Sequence, residues 1–247
     1  MDDTRGAYRD DLAYIHDAGF LAWVNSAAPA VLSALRKNGI RRGLVVDVGC
    51  GTGVLAAKLT AARFDVLGID ISPAMIAIAR QRAPRATFSV GSLYRAELPR
   101  CRAVMAIGEC LNYAFDPRST EAGLAGWFRR VHRALEPGGM LIFDMAVAGA
   151  IRRKPAQRHV VGEDWAVLVD LEERAKPAQL IRRITTYRKV GARYRRAIEI
   201  HRLHLHRRAK LHALLRGCGF RVSFGRAYGK RVLPPGHVVV IARKPPD

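Results

Sequence analysis

The 247 residues, 49% of them apolar and free of any low-complexity tract, are enough to bury one sizeable core. No apolar run reaches the roughly 18 residues that a membrane helix needs, and the acidic start MDDTRGAYRDD lacks the basic head and apolar centre of a signal peptide. The formal charge of +21 is unevenly spread, with 18 Lys and Arg against 14 Asp and Glu in residues 1–148, and 24 against 7 in residues 149–247.

These features predict a cytoplasmic protein with no membrane partner. Cys50, Cys101, Cys110 and Cys218 show no CxxC spacing, so neither a metal site nor a disulfide framework is indicated. The basic C-terminal part raises nucleic acid or an acidic substrate as a partner. Arginine outnumbers lysine 34 to 8, which a GC-rich coding bias would equally produce.

In chain order, residues 10–37 read as a helical region. LVVDVG (44–49) has the short, β-branched look of a buried strand, VLAAKLTAARF (54–64) of a helix, and DVLGID (65–70) of a second strand. In SPAMIAIARQRA (72–83), Ser72 stands as an N-cap and Pro73 at the first helical position. ATFSVG (86–91), AVMAIG (103–108) and GMLIFDMAV (139–147) add three strands, the last preceded by a helix in TEAGLAGWFRRVHRALEPGG that Pro137-Gly138-Gly139 closes. Five strands joined by crossovers long enough for helices predict an α/β, doubly wound, mainly parallel sheet.

The pattern changes after residue 148. WAVLVDLEE (165–173), LIRRITTYRKV (180–190) and YRRAIEIHRLHLH (194–206) alternate and have short links, as an antiparallel meander does. A helix (207–219) and two strands, in FRVSFGRAYG and HVVVIARKP, complete a seven-stranded sheet. The chain thus divides into a core segment 1–148, a small antiparallel β cap 149–206, and a return segment 207–247.

Asp47-Val48-Gly49-Cys50-Gly51-Thr52-Gly53 lies between the first strand and its helix, where doubly wound sheets bind ligands. Its GxGxG pattern after an acid departs from the GxGxxG of dinucleotide loops and suits a ligand with a cationic amino-acid end. A nicotinamide dinucleotide is the competing cofactor on fold alone. Asp70 ends the second strand, where a carboxylate can accept both hydroxyls of a ribose.

With these motifs and LEPGGMLIFD, residues 44–147 resemble the class I S-adenosyl-L-methionine (SAM)-dependent methyltransferases, a family with a Rossmann-like fold. The resemblance implies that Asp47, Gly49, Cys50, Gly51 and Gly53 line the methionine and ribose portion, Asp70 the ribose, and Ile71 and Met75 the adenine. It implies contacts from Ser92 and Leu93, where the family often has an acid, and from the backbone at Gly108. The meander resembles the acceptor cover of glycine and amino-sugar N-methyltransferases.

GECLNY (108–113) leaves the fourth strand beside the glycine loop, so its side chains are candidates to face the acceptor. Glu109 can steer a cationic amine or act as a base, Asn112 can orient a polar acceptor, and Tyr113 can form a wall with a hydrogen-bonding tip. Cys110 is expected to be a bystander. The N-terminal YRDDLAYIHDAGF can bring Tyr8, Tyr14 or His16 to the cofactor. Glu199 and His201, two apart on one face of the last meander strand, form either an internal pair or a substrate contact. The expected function is methyl transfer to an N, O or C nucleophile of a small molecule, by a monomer or homodimer. Methylation of RNA and SAM binding without catalysis are the alternatives.

Overall fold

The computed structural model describes residues 7–148 and 156–246. The helical region at the start is two helices, α1 (Asp10–Gly19) and α2 (Ala22–Lys37), bent 65° apart. The bend serves two partners. Leu12 and Ile15 of α1 pack on Trp165, Val167 and Ile184 of the cap, whereas Ala27, Val31 and Leu35 of α2 join the core with Leu55, Leu59 and Ile76. Among the described residues no single helix is long and apolar enough to cross a membrane.

The βαβ series follows as β1 (Leu44–Val48), α3 (Val54–Ala61), β2 (Asp65–Asp70), α4 (Pro73–Arg82), β3 (Thr87–Val90), β4 (Cys101–Ala106), α5 (Glu121–Ala134) and β5 (Leu135–Ala146). Ser72 does cap α4, its hydroxyl accepting the Met75 N–H at 3.1 Å. Thr120 does the same for α5 through Gly123 at 3.0 Å. Leu124, Trp127, Phe128 and Val131 recur at helical spacing along α5 and are fully buried under the sheet. Each stabilises the fold by about 1.5–3 kcal/mol.

Pro137-Gly138-Gly139 does not close α5, because β5 begins directly at Leu135. Cys101 pairs with Leu135 but Ala103 with Met140, so the residues between bulge out of the ladder.

The cap is a four-stranded antiparallel sheet of β6 (Ala156–Val161), β7 (Trp165–Ala175), β8 (Ala178–Val190) and β9 (Arg193–His204), one strand more than the sequence suggests. Five residues of β6 are exposed, so no buried face marks it in the sequence. α6 (Arg208–Gly217), β10 (Arg221–Gly225), the small hairpin β11 (Ala227–Tyr228) and β12 (Arg231–Val232), and β13 (His237–Arg243) return the chain to the core.

The main sheet has seven strands in the order β10-β13-β5-β4-β1-β2-β3, parallel from β5 to β3. Only β13 runs against its neighbours, between β5 and β10. The chain turns outward in both directions from β1, which opens a crevice at the carboxyl ends of β1 and β4.

Candidate active site

The glycine loop leaves β1 with Gly49, Gly51 and Gly53 at φ of 64°, 52° and 76°, a left-handed region that side chains resist. The three glycines do different work. A Cβ on Gly49 would run into the Cys110 sulfur, and one on Gly53 would sit 2.9 Å from the Ala79 Cβ, whereas a Cβ on Gly51 would meet nothing within 4 Å. Gly53, expected at a cofactor, is therefore a close-approach residue between α3 and α4 and does not line the cavity above the loop. The other expected positions do line it: Asp47, Gly49, Cys50, Gly51, Asp70, Ile71, Met75, Ser92, Leu93 and Gly108 border a volume of about 480 Å³.

Asp47 is 2% exposed, and its Oδ2 has no hydrogen-bond partner among the described residues. Burial, with the charge of Asp70 added, pushes its carboxyl up to about 8. A buried acid in this state is a place prepared for a cation. Asp70 ties the loop down, accepting the Gly51 N–H on Oδ2 and the Ser72 N–H on Oδ1, each at 2.9 Å. Burial raises its pKa while those N–H groups oppose the rise. Each oxygen keeps a further lone pair for a ligand hydroxyl.

Past β4 the backbone turns through Gly108 (φ 98°) and Glu109 (φ 62°). Fully buried Asp144, on β5, accepts the N–H groups of Gly108 and Glu109 and, at 2.8 Å, the Tyr228 hydroxyl. Glu109 is thereby aimed at the cap. Its Oε2 accepts from Arg182 of β8 at 2.8 Å and its Oε1 from His237 Nε2 at the head of β13. Burial would raise this carboxyl, but Arg182 and His237 outweigh it and hold the pKa down to about 2. His237 is raised in turn, burial notwithstanding, by its bond to Glu109. With its Nδ1 on the Pro235 carbonyl and its Nε2 on a carboxylate, the ring is the doubly protonated imidazolium.

Glu109, His16 and Tyr113 all line the cavity. The Tyr113 hydroxyl meets that of Tyr8 at 2.8 Å and receives Arg182 at 3.2 Å. His16 carries a buried Nδ1 without a partner among the described residues, and burial lowers its pKa, so it stands as a neutral imidazole.

Four residues that were candidates for a substrate contact have other tasks. Asn112 is fully buried and staples cap to core, donating to the carbonyls of Ala146 and His204 and accepting the Ala146 N–H. Glu199 and His201 form the internal pair, at 2.9 Å, and Glu199 also accepts the N–H groups of Tyr8 and Arg9, which straps the N-terminal segment over the cavity. Tyr14 donates to Asp164 at 2.8 Å under Arg188, away from the cavity. Cys110 is a packing residue against Gly49, and burial pushes its thiol up.

Sequence reasoning missed Arg182, His237, Asp144 and Asp116. Asp116 reaches the wall beside Ser92 from the loop after β4 and so brings an acid where β3 supplies none. Arg182 was hidden in an Arg-rich stretch that read as a surface feature.

A family model described as a methyltransferase domain matches residues 45–139. Among curated relatives, a ubiquinone biosynthesis O-methyltransferase of Thiobacillus denitrificans is 28% identical over 200 residues, covering 74% of this chain and 78% of its own. A demethylmenaquinone methyltransferase of Chlorobaculum tepidum is 36% identical over 124 residues, 47% of each chain. The chain spans about half the length of the first curated relatives it matches, 52% and 42% of proteins from Geobacillus sp. and Bacillus subtilis. A SAM-dependent methyltransferase structure from Clostridium acetobutylicum superposes with a TM-score of 0.79 at 15% identity, covering 94% of this chain and 97% of the other. The sugar N-methyltransferase KedS8 from Streptoalloteichus gives 0.76 at 20%, covering 95% and 92%. At these identities the structural likeness shows the fold.

Proposed function

We propose that the protein, whose residues 45–139 match the model of a methyltransferase domain, is a class I methyltransferase that transfers a methyl group from SAM to a small-molecule nucleophile held between the glycine loop and the cap. The observation that carries this reading is the buried, unpartnered Asp47 carboxylate at the head of the loop, facing a cavity that runs on to the cap.

The residues fit the cofactor. Asp47 would take its ammonium group, Asp70 its ribose hydroxyls, Gly51 would leave room for it, and Ser92 with Asp116 would meet the adenine end. When bound, SAM supplies a methyl group on a sulfonium whose leaving group is already activated. Aligning the acceptor and excluding water is then the work left to the chain. Tyr8, held by Glu199 and by Ser72 donating to its carbonyl at 2.8 Å, closes the cavity from above. Neutral His16, in the wall of the cavity, is the group placed to take a proton from an acceptor hydroxyl or ammonium. Glu109 already holds two cations, so it fixes the cap to the core turn and is not an open anchor for an amine.

Arg182 of RRITTYRK points inward to Glu109, which weakens the RNA reading that this stretch suggested. The test is tritium transfer from labelled SAM into extracts of a deletion strain. Label in the small-molecule fraction is the expected result, label in bulk RNA would replace this reading with RNA methylation, and none in either would leave a SAM-binding protein without turnover.

Cofactor affinity should depend on pH. Asp47 titrates near 8 when free, and a bound ammonium favours its ionised form, so binding expels a proton. The affinity for S-adenosylhomocysteine (SAH) should rise up to about tenfold per pH unit from about 6 to 8 and flatten above that. Calorimetry at three pH values checks this. A flat profile would take the ammonium away from Asp47.

A further inference from the structure

A second cavity, of about 530 Å³, opens from the first and shares Tyr8, His16, Phe20, Glu109 and Arg182 with it. The two differ in chemistry. Rings gather around the first, where Tyr113 stacks on Phe115 with centroids 4.8 Å apart and Tyr8 meets both edge-on. The second lies against one face of the cap, and its wall is mainly aliphatic: Val160, Val167, Val169, Leu171, Leu180 and Ile184.

The register puts all six on one side of the sheet, since Val160 faces Val167, Val169 faces Ile184, and Leu171 and Leu180 continue the alternation on their strands. Arg158, His159 and Glu173 interrupt this wall. Among the described residues no side chain fills the space, and Val160 is 41% exposed. Protein interiors seldom leave an aliphatic volume of this size empty, whereas ligand sites are built this way.

We infer that the acceptor is an amphiphile: its polar, methyl-accepting end lies at the Glu109–Arg182–His237 junction, and an aliphatic body occupies the chamber beneath β6, β7 and β8. This rests on the methyltransferase reading, from which it takes the location of the cofactor. The aliphatic wall supplies affinity by burial, and the charged junction orients the end that must meet the cofactor.

The experiment titrates the full chain, saturated with SAH, with 4-methyl-, 4-butyl- and 4-octylcatechol. Affinity should rise with chain length, approaching about fourfold per methylene as each is buried. Val169→Asp, in the chamber wall, should cut octylcatechol affinity at least tenfold and leave SAH affinity intact. Leu168→Asp, on the opposite face of β7, should change neither; Leu168 is 45% exposed. Should Val169→Asp fail to fold, the near-isosteric Val169→Thr should show the same loss at smaller amplitude. A flat series, or no binding of any member, in protein that binds SAH would overturn the amphiphile. A steep series indifferent to both Val169 variants would overturn the chamber as its site. Failure of the wild type to bind SAH would instead strike the cofactor reading.

Discussion

Gly51→Leu should fold but bind SAH at least about 100-fold more weakly, a loss of about 2.7 kcal/mol. A side chain at φ 52° costs about 1–2 kcal/mol of left-handed strain, which lowers the melting temperature of a chain this long by a few degrees. The new side chain meets no protein atom near its Cβ and projects into the volume beside Asp47 and Asp70. Gly53→Leu should behave in the opposite way. Its Cβ falls 2.9 Å from the Ala79 Cβ and 3.0 Å from the Ala79 Cα, so α3 and α4 must part, and stability suffers before binding does. Thermal unfolding and calorimetry on both variants separate the two roles within one motif. Unchanged SAH affinity in folded Gly51→Leu would place the cofactor elsewhere.

The glycine loop was legible because its constraints are local: a strand end, a turn closed to side chains and a following helix all lie within ten residues. The parallel strands were legible for a related reason. Buried on both faces, LVVDV and CRAVMA are apolar at every position but Asp47 and Arg102, wherever the rest of the chain goes. Local pattern could not show which side chains meet across the cap. Glu109 touches Arg182 and His237, which lie 73 and 128 residues away, and the contact depends on the register of β8 and on where β13 enters the sheet. Asn112 illustrates the same limit. An amide after a strand suits a substrate or a staple equally, and only the arrival of Ala146 and His204 decides for the staple. The bend between α1 and α2 was likewise set by its two packing partners, the cap and the main sheet.

Glu109→Gln should separate catalysis, cofactor binding and stability. Gln keeps the shape but removes the charge between Arg182 and His237, two cations whose side chains are only 21% and 10% exposed. Leaving them without a counter-ion should destabilise the fold by about 3 kcal/mol at pH 6. The sign follows from the shifts. Glu109 is depressed from 4.5 to about 2, so its contribution is present above 4.5 and fades as pH falls through 2. His237 is raised above 6.5, so its contribution is present below 6.5 and fades as pH rises through its folded value. The difference in melting temperature between wild type and variant should therefore be largest between about pH 4.5 and 6.5. SAH affinity should change less than about threefold, because the cofactor's anchors are Asp47 and Asp70, while methyl transfer should fall about 100-fold as the junction that orients the acceptor loosens. Adding Arg182→Met to Glu109→Gln removes one stranded cation and should recover much of the lost stability. If transfer returns with it, Glu109 acts only by neutralising Arg182; if transfer stays low while stability returns, the carboxylate itself orients the acceptor.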